Sequence, residues 1–418
     1  RTRTMARPAR IRLAGTISVT LLCAAAATEA MAQDGAIVLN NQIQMGDVVA
    51  GQTLNVVDAD EQVTVSTSAR GNSFSGAVEN GTITVDSTQE MNGDALATTT
   101  MTLGGDTDGR LTATTQAGGN YLAAGAYGAD LQVDASQRVT DGEVAANSTI
   151  TDDSARLLAG ATVDASAIGN TTAVGGEGST VTGSISQDSS ATIRASNLAS
   201  TQYIPAQAAF GSQAIANAVA VNSDAASNQN LYVRQRSTGD LVEADTSANA
   251  GNAWDLAGRA RASGNQAVFQ NQGGALLAET DQANGAQVRA TAVTTAYDYG
   301  AVEAYARAAG NEVSVGNNDV YVEIDNTQFN SGGVDSTATF SGTNGYDAYV
   351  GADAVGNSVT GYACSECAGY LTATNVQTNN GAVTATANTT VAGSSRAVIT
   401  GTNAVGNAAT FYVSRPGP

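Results

Sequence analysis

The stretches ADAVGNSVTG (residues 352–361) and TNAVGNAATF (residues 402–411) decide the fold, because they repeat one phrase at a spacing of 50 residues. The Gly-Asn dipeptide at their centre recurs along most of the chain. Its members are Gly71-Asn72, Gly119-Asn120, Gly169-Asn170, Gly264-Asn265, Gly310-Asn311, Gly356-Asn357 and Gly406-Asn407, with Ala216-Asn217 in the one missing step. Successive Asn residues lie 46 to 50 residues apart. Spacing this regular is typical of a repeat architecture rather than of a globular enzyme.

Small side chains precede each Gly-Asn dipeptide. The second residue before the Gly is Ala in every repeat, and the fourth residue before it is Ala, Ser or Thr. The third residue after the Gly is mostly apolar. Since Gly and Asn tolerate left-handed backbone conformations, the pattern predicts a strand that enters a left-handed corner at each dipeptide and leaves it with an apolar residue turned inward.

A second and weaker turn phrase lies midway between the corners. Its members are Asn92-Gly93, Asp141-Gly142, Gly239-Asp240, Asn284-Gly285, Gly332-Gly333 and Asn380-Gly381. Counting both phrases as coil boundaries gives about 24 residues per step, a plausible circumference for one coil of a solenoid. The sequence therefore predicts an all-β fold, a β-solenoid (β-helix) of about sixteen coils paired into repeats of about 48 residues. At ~4.8 Å per coil, the rod would be on the order of 75 Å long.

An alternative fold stays open at this point. Each repeat of about 48 residues is too short to fold alone, but it could pair with its neighbour in an array of β-sandwiches. In the solenoid, by contrast, Asn or Gln side chains on successive coils are expected to form amide ladders.

The composition argues against catalysis. The chain has 46 Gly, only 5% aromatic residues and no His, and every basic residue is Arg. The absence of His and Lys removes the commonest general bases and amine nucleophiles, so neither an enzyme nor a cofactor is expected. Two hypotheses of other classes stay open: a β-helix enzyme whose Asp and Glu residues meet only through coil stacking, and an ice- or surface-binding solenoid, suggested by the Thr-rich residues 112–115.

The amino-terminal residues predict export. Residues 1–4 look like an upstream extension, and residues 5–32 resemble a signal peptide with arginines, an apolar stretch and the cleavage sequence Ala30-Met31-Ala32. Residues 33–418 would then form the repetitive surface domain. The formal net charge of −20 becomes more negative when residues 1–32, with their five Arg and one Glu, are removed. So acidic a surface repels nucleic acid and anionic membranes.

Two local motifs could carry chemistry. Asp106 and Asp108, which flank Thr107 and precede Gly109, resemble a fragment of a Ca²⁺-binding repeat, but the fragment occurs once, and a solvated acidic turn is the favoured interpretation. Cys364 and Cys367 form the only cysteine pair after the predicted leader. In an oxidising space this spacing favours a local disulfide, and zinc would need further ligands.

Tyrosines crowd into the last third of the chain, where they are predicted to be exposed and either to stack on sugars or another protein or to cap coils. They are Tyr297, Tyr299, Tyr305, Tyr346, Tyr349, Tyr362 and Tyr370.

The stretch SGNQAVFQNQ (residues 263–272) resembles the bacterial curlin repeat, although the other corners lack the Gln after Gly-Asn and the period here is longer. With its Ala-rich leader, its acidic balance and the absence of Lys and His, the whole chain resembles the holdfast anchor protein D family of stalked bacteria. This resemblance implies a secreted protein at the outer-membrane surface. It would act with companion anchor proteins and an outer-membrane export channel to tie adhesive polysaccharide to the cell. Exposed coil edges would also allow self-association into a homo-oligomer.

Overall fold

The computed structural model describes residues 35–151, 154–319, 321–364 and 369–413, and the regular structure in these ranges is β-strand throughout. The predicted leader and the extension before it lie outside the described residues. Within the described ranges, no helix is long and apolar enough to cross a membrane.

The strand register defines the coil. Hydrogen-bonded neighbours are parallel and lie 46 to 50 residues apart in the chain. The all-β solenoid is therefore confirmed, but the expected coil of 24 residues is wrong, because segments half a repeat apart lie on different sides of one coil and do not pair. The described chain makes eight coils instead of sixteen. At ~4.8 Å per coil they stack to about 38 Å, half the expected length.

The amino-terminal half of the chain forms coils 1 to 4. Coil 1 contains β1 (Ala36–Gln44), β2 (Val48–Val56) and β3 (Val63–Glu79). Coil 2 contains β4 (Thr82–Asn92), β5 (Ala95–Leu103), β6 (Asp106–Thr107) and β7 (Leu111–Tyr127). Coil 3 contains β8 (Asp130–Thr140), β9 (Glu143–Ile150), β10 (Arg156–Leu157) and β11 (Ala161–Glu177). Coil 4 contains β12 (Thr180–Ser189) and β13 (Thr192–Asn222).

The remaining strands form coils 5 to 8. Coil 5 contains β14 (Asn228–Ser237) and β15 (Leu241–Asn271). Coil 6 contains β16 (Ala275–Asn284) and β17 (Gln287–Asn317). Coil 7 contains β18 (Tyr321–Asn330) and β19 (Val334–Ala363). Coil 8 contains β20 (Tyr370–Asn379), β21 (Val383–Val391) and β22 (Ser395–Val413).

Each coil contributes one strand segment to each of three faces. Face A consists of the first strand of every coil, from β1 to β20. Face B consists of β2, β5, β9, the first parts of β13, β15, β17 and β19, and then β21. Face C consists of β3, β7, β11, the second parts of the same four long strands, and then β22. In coils 4 to 7 one long strand thus bends from face B into face C.

The interior contains two apolar cores. One lies between face B and the first half of face C and includes Val144 and Leu111. The other lies between face A and the second half of face C and includes Val133 and Leu122. The coil is therefore flattened, with faces A and B on one side and face C returning along the other. Small and β-branched side chains suit so thin an interior, since each coil adds only ~4.8 Å of height.

The Gly-Asn dipeptides lie at the middle of face C, at a position termed the kink. In β7, Gly119 and Asn120 are both buried, so the alternation of inward and outward side chains changes phase there. The register passes over the Gly, because Gly118 pairs with Ile168 and Asn120 pairs with Asn170. The strand thus changes direction without making a turn.

The expected left-handed corner is wrong. The kink glycines do not have positive φ angles; such angles lie elsewhere, as at Asp141 (φ 51°) and Gly142 (φ 74°) in the turn from face A to face B. Glycine is needed at the kink because there is no space for a Cβ atom. A Cβ on Gly119 would lie 2.5 Å from the carbonyl oxygen of Gly169, closer than real Cβ atoms come to such an atom.

Candidate functional site

The eight kink asparagines form one continuous ladder along the solenoid. Each side-chain amide donates to the side-chain oxygen of the Asn in the next coil at 2.7 to 2.9 Å. The members are Asn72, Asn120, Asn170, Asn217, Asn265, Asn311, Asn357 and Asn407. In the first seven coils the same amide also donates to a backbone carbonyl near the end of face A, as from Asn120 to Arg138 at 2.8 Å. The ladder therefore joins face C to face A across the interior.

A second ladder of glutamines runs beside the first on face A. Its members are Gln42, Gln89, Gln137, Gln187, Gln235, Gln282, Gln328 and Gln377. Here each amide donates to the preceding coil, at 2.7 to 2.8 Å, so the two ladders point in opposite directions. Each Gln also donates to the carbonyl of the residue after the kink Asn, as from Gln89 to Tyr121 at 2.9 Å.

These ladders give the predicted Gly and Asn residues a structural position rather than a surface-exposed one. A buried amide without partners costs about 1–3 kcal/mol, and here every coil supplies partners to the next coil. Amide ladders of Asn and Gln are thus present as expected for a solenoid, but the individual glutamines are not among the residues predicted from the sequence. Their own spacing of 46 to 50 residues, the same as that of the asparagines, was the signal that could have found them.

The two motifs singled out for chemistry lie apart from any cluster. Asp106 forms an ion pair with Arg156 at 3.1 Å, and the backbone amide of Asp108 donates to the carbonyl of Ala59. Among the described residues, no group of three or more His, Cys, Asp or Glu side chains could hold a metal ion. Cys364 is disulfide-bonded, while Cys367 lies outside the described residues, so their pairing stays a prediction.

The predicted tyrosine surface is only partly exposed. Tyr297, Tyr346, Tyr349 and Tyr370 are exposed. Tyr299 does not fit the prediction: it is only 4% exposed and packs edge-on against Phe340 at a centroid distance of 5.1 Å. Tyr305 and Tyr362 are half-buried.

The exposed aromatics lead to a groove where face B bends into face C in coils 4 to 8. The groove has a volume of about 500 Å³ and is open to solvent along its length. Its lining comprises Tyr203, Pro205, Asn252, Ala253, Trp254, Asp298, Tyr299, Gly300, Asn344, Gly345, Tyr346 and Ser394. Trp254 is 61% exposed and Tyr346 is 52% exposed. The tyrosines are evident in the sequence but the groove is not, because its residues are brought together by the coil register of 46 to 50 residues.

Two glycines make room for the rings of the groove. A Cβ on Gly300 would lie 2.9 Å from the Trp254 ring, and a Cβ on Gly345 would lie 2.3 Å from the Tyr299 ring. Because coil 6 has Gly300 at the position of the ring, Trp254 of coil 5 reaches Tyr346 of coil 7, with ring centroids 6.0 Å apart. The result is an edge-to-face aromatic pair that spans three coils.

Polar groups run beside the rings. Asn252, Asp298 and Asn344 are in register in coils 5, 6 and 7 and are all exposed. The Asn344 amide donates to the Asp298 carboxylate at 3.3 Å, and the Asp298 backbone amide donates to the Asn252 side-chain oxygen at 3.3 Å. Asp298 is the one carboxylate among the described lining residues.

An arginine lies over an aromatic ring at each end of the groove. Arg156 lies 5.8 Å from the centroid of Tyr203, and Arg396 lies 5.5 Å from that of Tyr346. Arg396 also hydrogen-bonds to Asp347 and thereby holds the pKa of that carboxyl below its usual value. Since Arg156 is paired with Asp106, both cations already have an anionic partner within the chain.

A second hollow, of about 420 Å³, lies a few residues further along face C of coils 6 to 8. Its lining includes Glu303, Tyr305, Tyr349 and Asp353. The Tyr305 hydroxyl donates to the Asp353 carboxylate. Burial, and then this hydrogen bond, raise the pKa of Tyr305 to about 12, so the phenol stays neutral at ordinary pH.

The fold and its two ladders define the class of the protein as a parallel β-solenoid with an amide spine. The family model described as holdfast attachment protein D matches residues 57–333, about two thirds of the chain, and the chain belongs to this family. Membership implies a part in holdfast attachment at the cell surface, and it points to a structural role. No curated protein and no solved structure gives a significant match.

Proposed function

We propose that this chain is a secreted structural protein that ties the adhesive polysaccharide of the holdfast to the bacterial outer membrane, and that copies of it stack end to end. It would reach the surface through an outer-membrane channel and act there with companion anchor proteins. Membership of the holdfast attachment family supports the attachment role, and the two ends of the described solenoid support stacking. In the described chain, coil 1 has no coil before it and coil 8 has none after it.

The two ends have complementary hydrogen-bonding groups. In the glutamine ladder each amide donates toward coil 1. The Gln42 amide could therefore donate to a preceding coil, and the Gln377 side-chain oxygen could accept from a following coil. The asparagine ladder runs the other way, so Asn407 has the donor and Asn72 has the acceptor. A second copy whose coil 1 follows coil 8 would therefore continue both ladders without a change of direction.

The register of the two ends also agrees. Thirty residues separate the ladder Gln from the ladder Asn both in coil 1 and in coil 8. Strands β2 and β21 both have nine residues and occupy the same position in that interval. With Gln377 opposite Gln42, the exposed apolar side chains of Ile37 and Leu39 would lie beside Thr372 and Thr374 and lose part of their contact with water.

A structural role also agrees with the chemistry of the groove. Hydrolysis of a glycosidic bond generally needs two carboxyl groups that flank the bond. The described lining of the groove has one, that of Asp298. The groove thus has groups that could hold a chain but lacks the pair that would cut it.

The attachment role can be tested in cells. Deletion of the gene is expected to release adhesive material from cells into the medium, and the full-length chain should restore its retention. Retention by the deletion strain equal to that of the parent would overturn the proposal.

End-to-end stacking can be tested with two substitutions that preserve the ladder hydrogen bonds within one chain, at the cost of one exposed hydrogen bond from the Gln42 amide to the Ser73 carbonyl. Gln42→Glu keeps the oxygen that accepts from Gln89, and Asn407→Asp keeps the oxygen that accepts from Asn357. Both variants lose the donor that the next copy needs and place a carboxylate against another acceptor. Purified wild-type protein is expected to form assemblies longer than one chain, by light scattering and electron microscopy, and the double variant is expected to stay monomeric.

The matched control adds the same charges at the same ends but on the outer face. Asn41 directly precedes Gln42 and Asn403 lies four residues before Asn407, and Asn41→Asp and Asn403→Asp both alter exposed side chains. This control is expected to assemble as the wild type does. Equal assembly by the ladder variant and the control would contradict stacking through the ladders.

A further inference from the structure

We infer that the aromatic groove of coils 4 to 8 is a binding site for an extended, uncharged polysaccharide chain, with pyranose rings stacked on Trp254 and Tyr346 and hydroxyls bound by Asn252, Asp298 and Asn344. This inference rests on the proposed function, since it assigns the contact with the polysaccharide to one surface. It adds the site, its residues and the chemical class of the ligand.

The rings supply the first argument. Large aromatic side chains are scarce in this protein, and its one Trp is more than half exposed within the groove. An aromatic ring that stays exposed loses the favourable free energy of burial. Trp254 and Tyr346 are nevertheless exposed, and Gly300 leaves the space in which their rings meet, as expected for a binding surface. The flat face of a pyranose with equatorial substituents carries C–H groups that pack well on such rings.

The polar row supplies the second argument. Asn252, Asp298 and Asn344 lie one coil apart, at ~4.8 Å intervals, which is close to the advance of an extended pyranose chain per sugar. Amide and carboxylate groups can both accept from sugar hydroxyls, and the amides can also donate. Rings on one side and hydrogen-bonding groups on the other match the two kinds of surface that a sugar presents.

Charge decides which class of polysaccharide fits. The protein has a net charge of −20, and Asp298 lies within the groove. The cations at its ends, Arg156 and Arg396, are already paired with Asp106 and Asp347. A polyuronate would thus meet the Asp298 carboxylate, whose hydrogen-bond partner Asn344 is neutral, and no free guanidinium among the described lining residues, whereas an uncharged chain meets no such repulsion.

Binding can be measured directly on the purified protein. The probes are cello-oligosaccharides and chito-oligosaccharides, which are uncharged and equatorially linked, and oligomannuronate as the acidic counterpart with the same equatorial linkage. The wild type is expected to bind at least one uncharged probe and not the oligomannuronate. Trp254→Ala is expected to weaken binding about tenfold or more, and Trp254→Phe to retain most of it.

The matched control is Tyr127→Ala, which removes an exposed aromatic ring of coil 2 that lies outside the groove lining. It is expected to bind as the wild type does. Failure of all uncharged probes to bind, equal binding by Trp254→Ala and the wild type, or preferential binding of oligomannuronate would each overturn the inference.

The test in cells separates this inference from the proposed function. If deletion of the gene releases adhesive material while Trp254→Ala retains it, the attachment role stands and the groove is not the site. If deletion has no effect, the attachment role fails, whatever the purified protein binds.

Discussion

The kink at Gly-Asn and the bend at the groove are two changes of direction in the same coil, yet only one of them is uniform. At the kink all eight coils carry Asn, and seven of them carry Gly before it. At the bend the corresponding residues differ, as with Asn252, Asp298 and Asn344 or with Trp254, Gly300 and Tyr346.

The difference follows from what lies around each position. A kink Asn is buried and exchanges hydrogen bonds with the coils on both sides and with face A, so a change there leaves several groups unpaired. At the bend the side chains of Asn252, Asp298 and Asn344 are exposed to solvent, and their loss leaves no buried polar group unpaired. Regularity thus marks the positions that hold the coils together, and variation marks the surface that is free to bind.

The largest expected effect comes from removing one kink side chain. Asn217→Ala would deprive the Asn170 amide of its acceptor and the Asn265 side-chain oxygen and the Arg236 carbonyl of their donor. At about 1–3 kcal/mol for each buried group left unpaired, the free energy of unfolding should fall by about 3–5 kcal/mol. Chemical denaturation followed by circular dichroism measures it. Asn230→Ala, at an exposed position in the same part of the chain, should change it by less than about 0.5 kcal/mol.

A smaller loss is expected when a methyl group is added at the kink. A Cβ on Gly310 would lie 2.5 Å from the Gly356 carbonyl oxygen and 2.6 Å from the Asn330 side-chain oxygen. Gly310→Ala should therefore cost about 1–3 kcal/mol by overpacking. On the same strand, Gly316 has nothing within 4 Å of its Cβ position, so Gly316→Ala should be neutral or stabilising by up to about 1 kcal/mol. Equal thermal midpoints for the two variants would show that the kink tolerates a side chain.

Beneath the groove, a substitution is expected to raise the free energy of unfolding instead of lowering it. The Tyr299 hydroxyl is buried and has no hydrogen-bond partner among the described residues. Tyr299→Phe keeps the ring and removes the unpaired group, so it should raise the free energy of unfolding by about 1 kcal/mol. Tyr346→Phe, at an exposed ring, is the control and should have little effect. A clear loss of stability in Tyr299→Phe would mean that the hydroxyl is bonded in solution.

The smallest expected effect is a shift in one titration. Because the folded protein raises the pKa of Tyr305 from 10.0 to about 12, folding favours the protonated phenol. Its contribution to stability should be complete below about pH 10 and should be lost as the pH rises through about 12. The ultraviolet spectrum of tyrosinate, compared between the wild type and Tyr305→Phe, should show one phenol that titrates late. Asp353→Asn should lower that pKa.

The repeat can be recognised in the sequence, because the same packing and hydrogen-bonding constraint acts at one residue position in every coil. The spacing of the Gly-Asn dipeptides gives the period of about 48 residues. Together with the small residues before each kink, it predicts the all-β class. The length of one coil could not be predicted from the sequence. A turn between two faces of the same coil, such as Asp141-Gly142, has the same residue types as a turn from one coil to the next. Only the register shows which segments pair.

The candidate site could not be predicted from the sequence in the same way. Trp254, Asp298 and Tyr346 are 44 and 48 residues apart in sequence and share no local pattern. They come together because parallel stacking places each one coil above the last, and because Gly300 leaves a gap that a ring can cross. Tyr299 and Tyr346 look alike in sequence, but the first enters the interior and the second stays outside.

The stacking direction of the coils has a mechanical consequence. Hydrogen bonds between coils run along the solenoid axis, so tension along that axis loads them directly and the end coil detaches first. Each detached coil of 46 to 50 residues would release about 160 Å of extended chain. A tether built this way lengthens in steps under load and absorbs work at each step, while the coils that remain keep their hydrogen bonds.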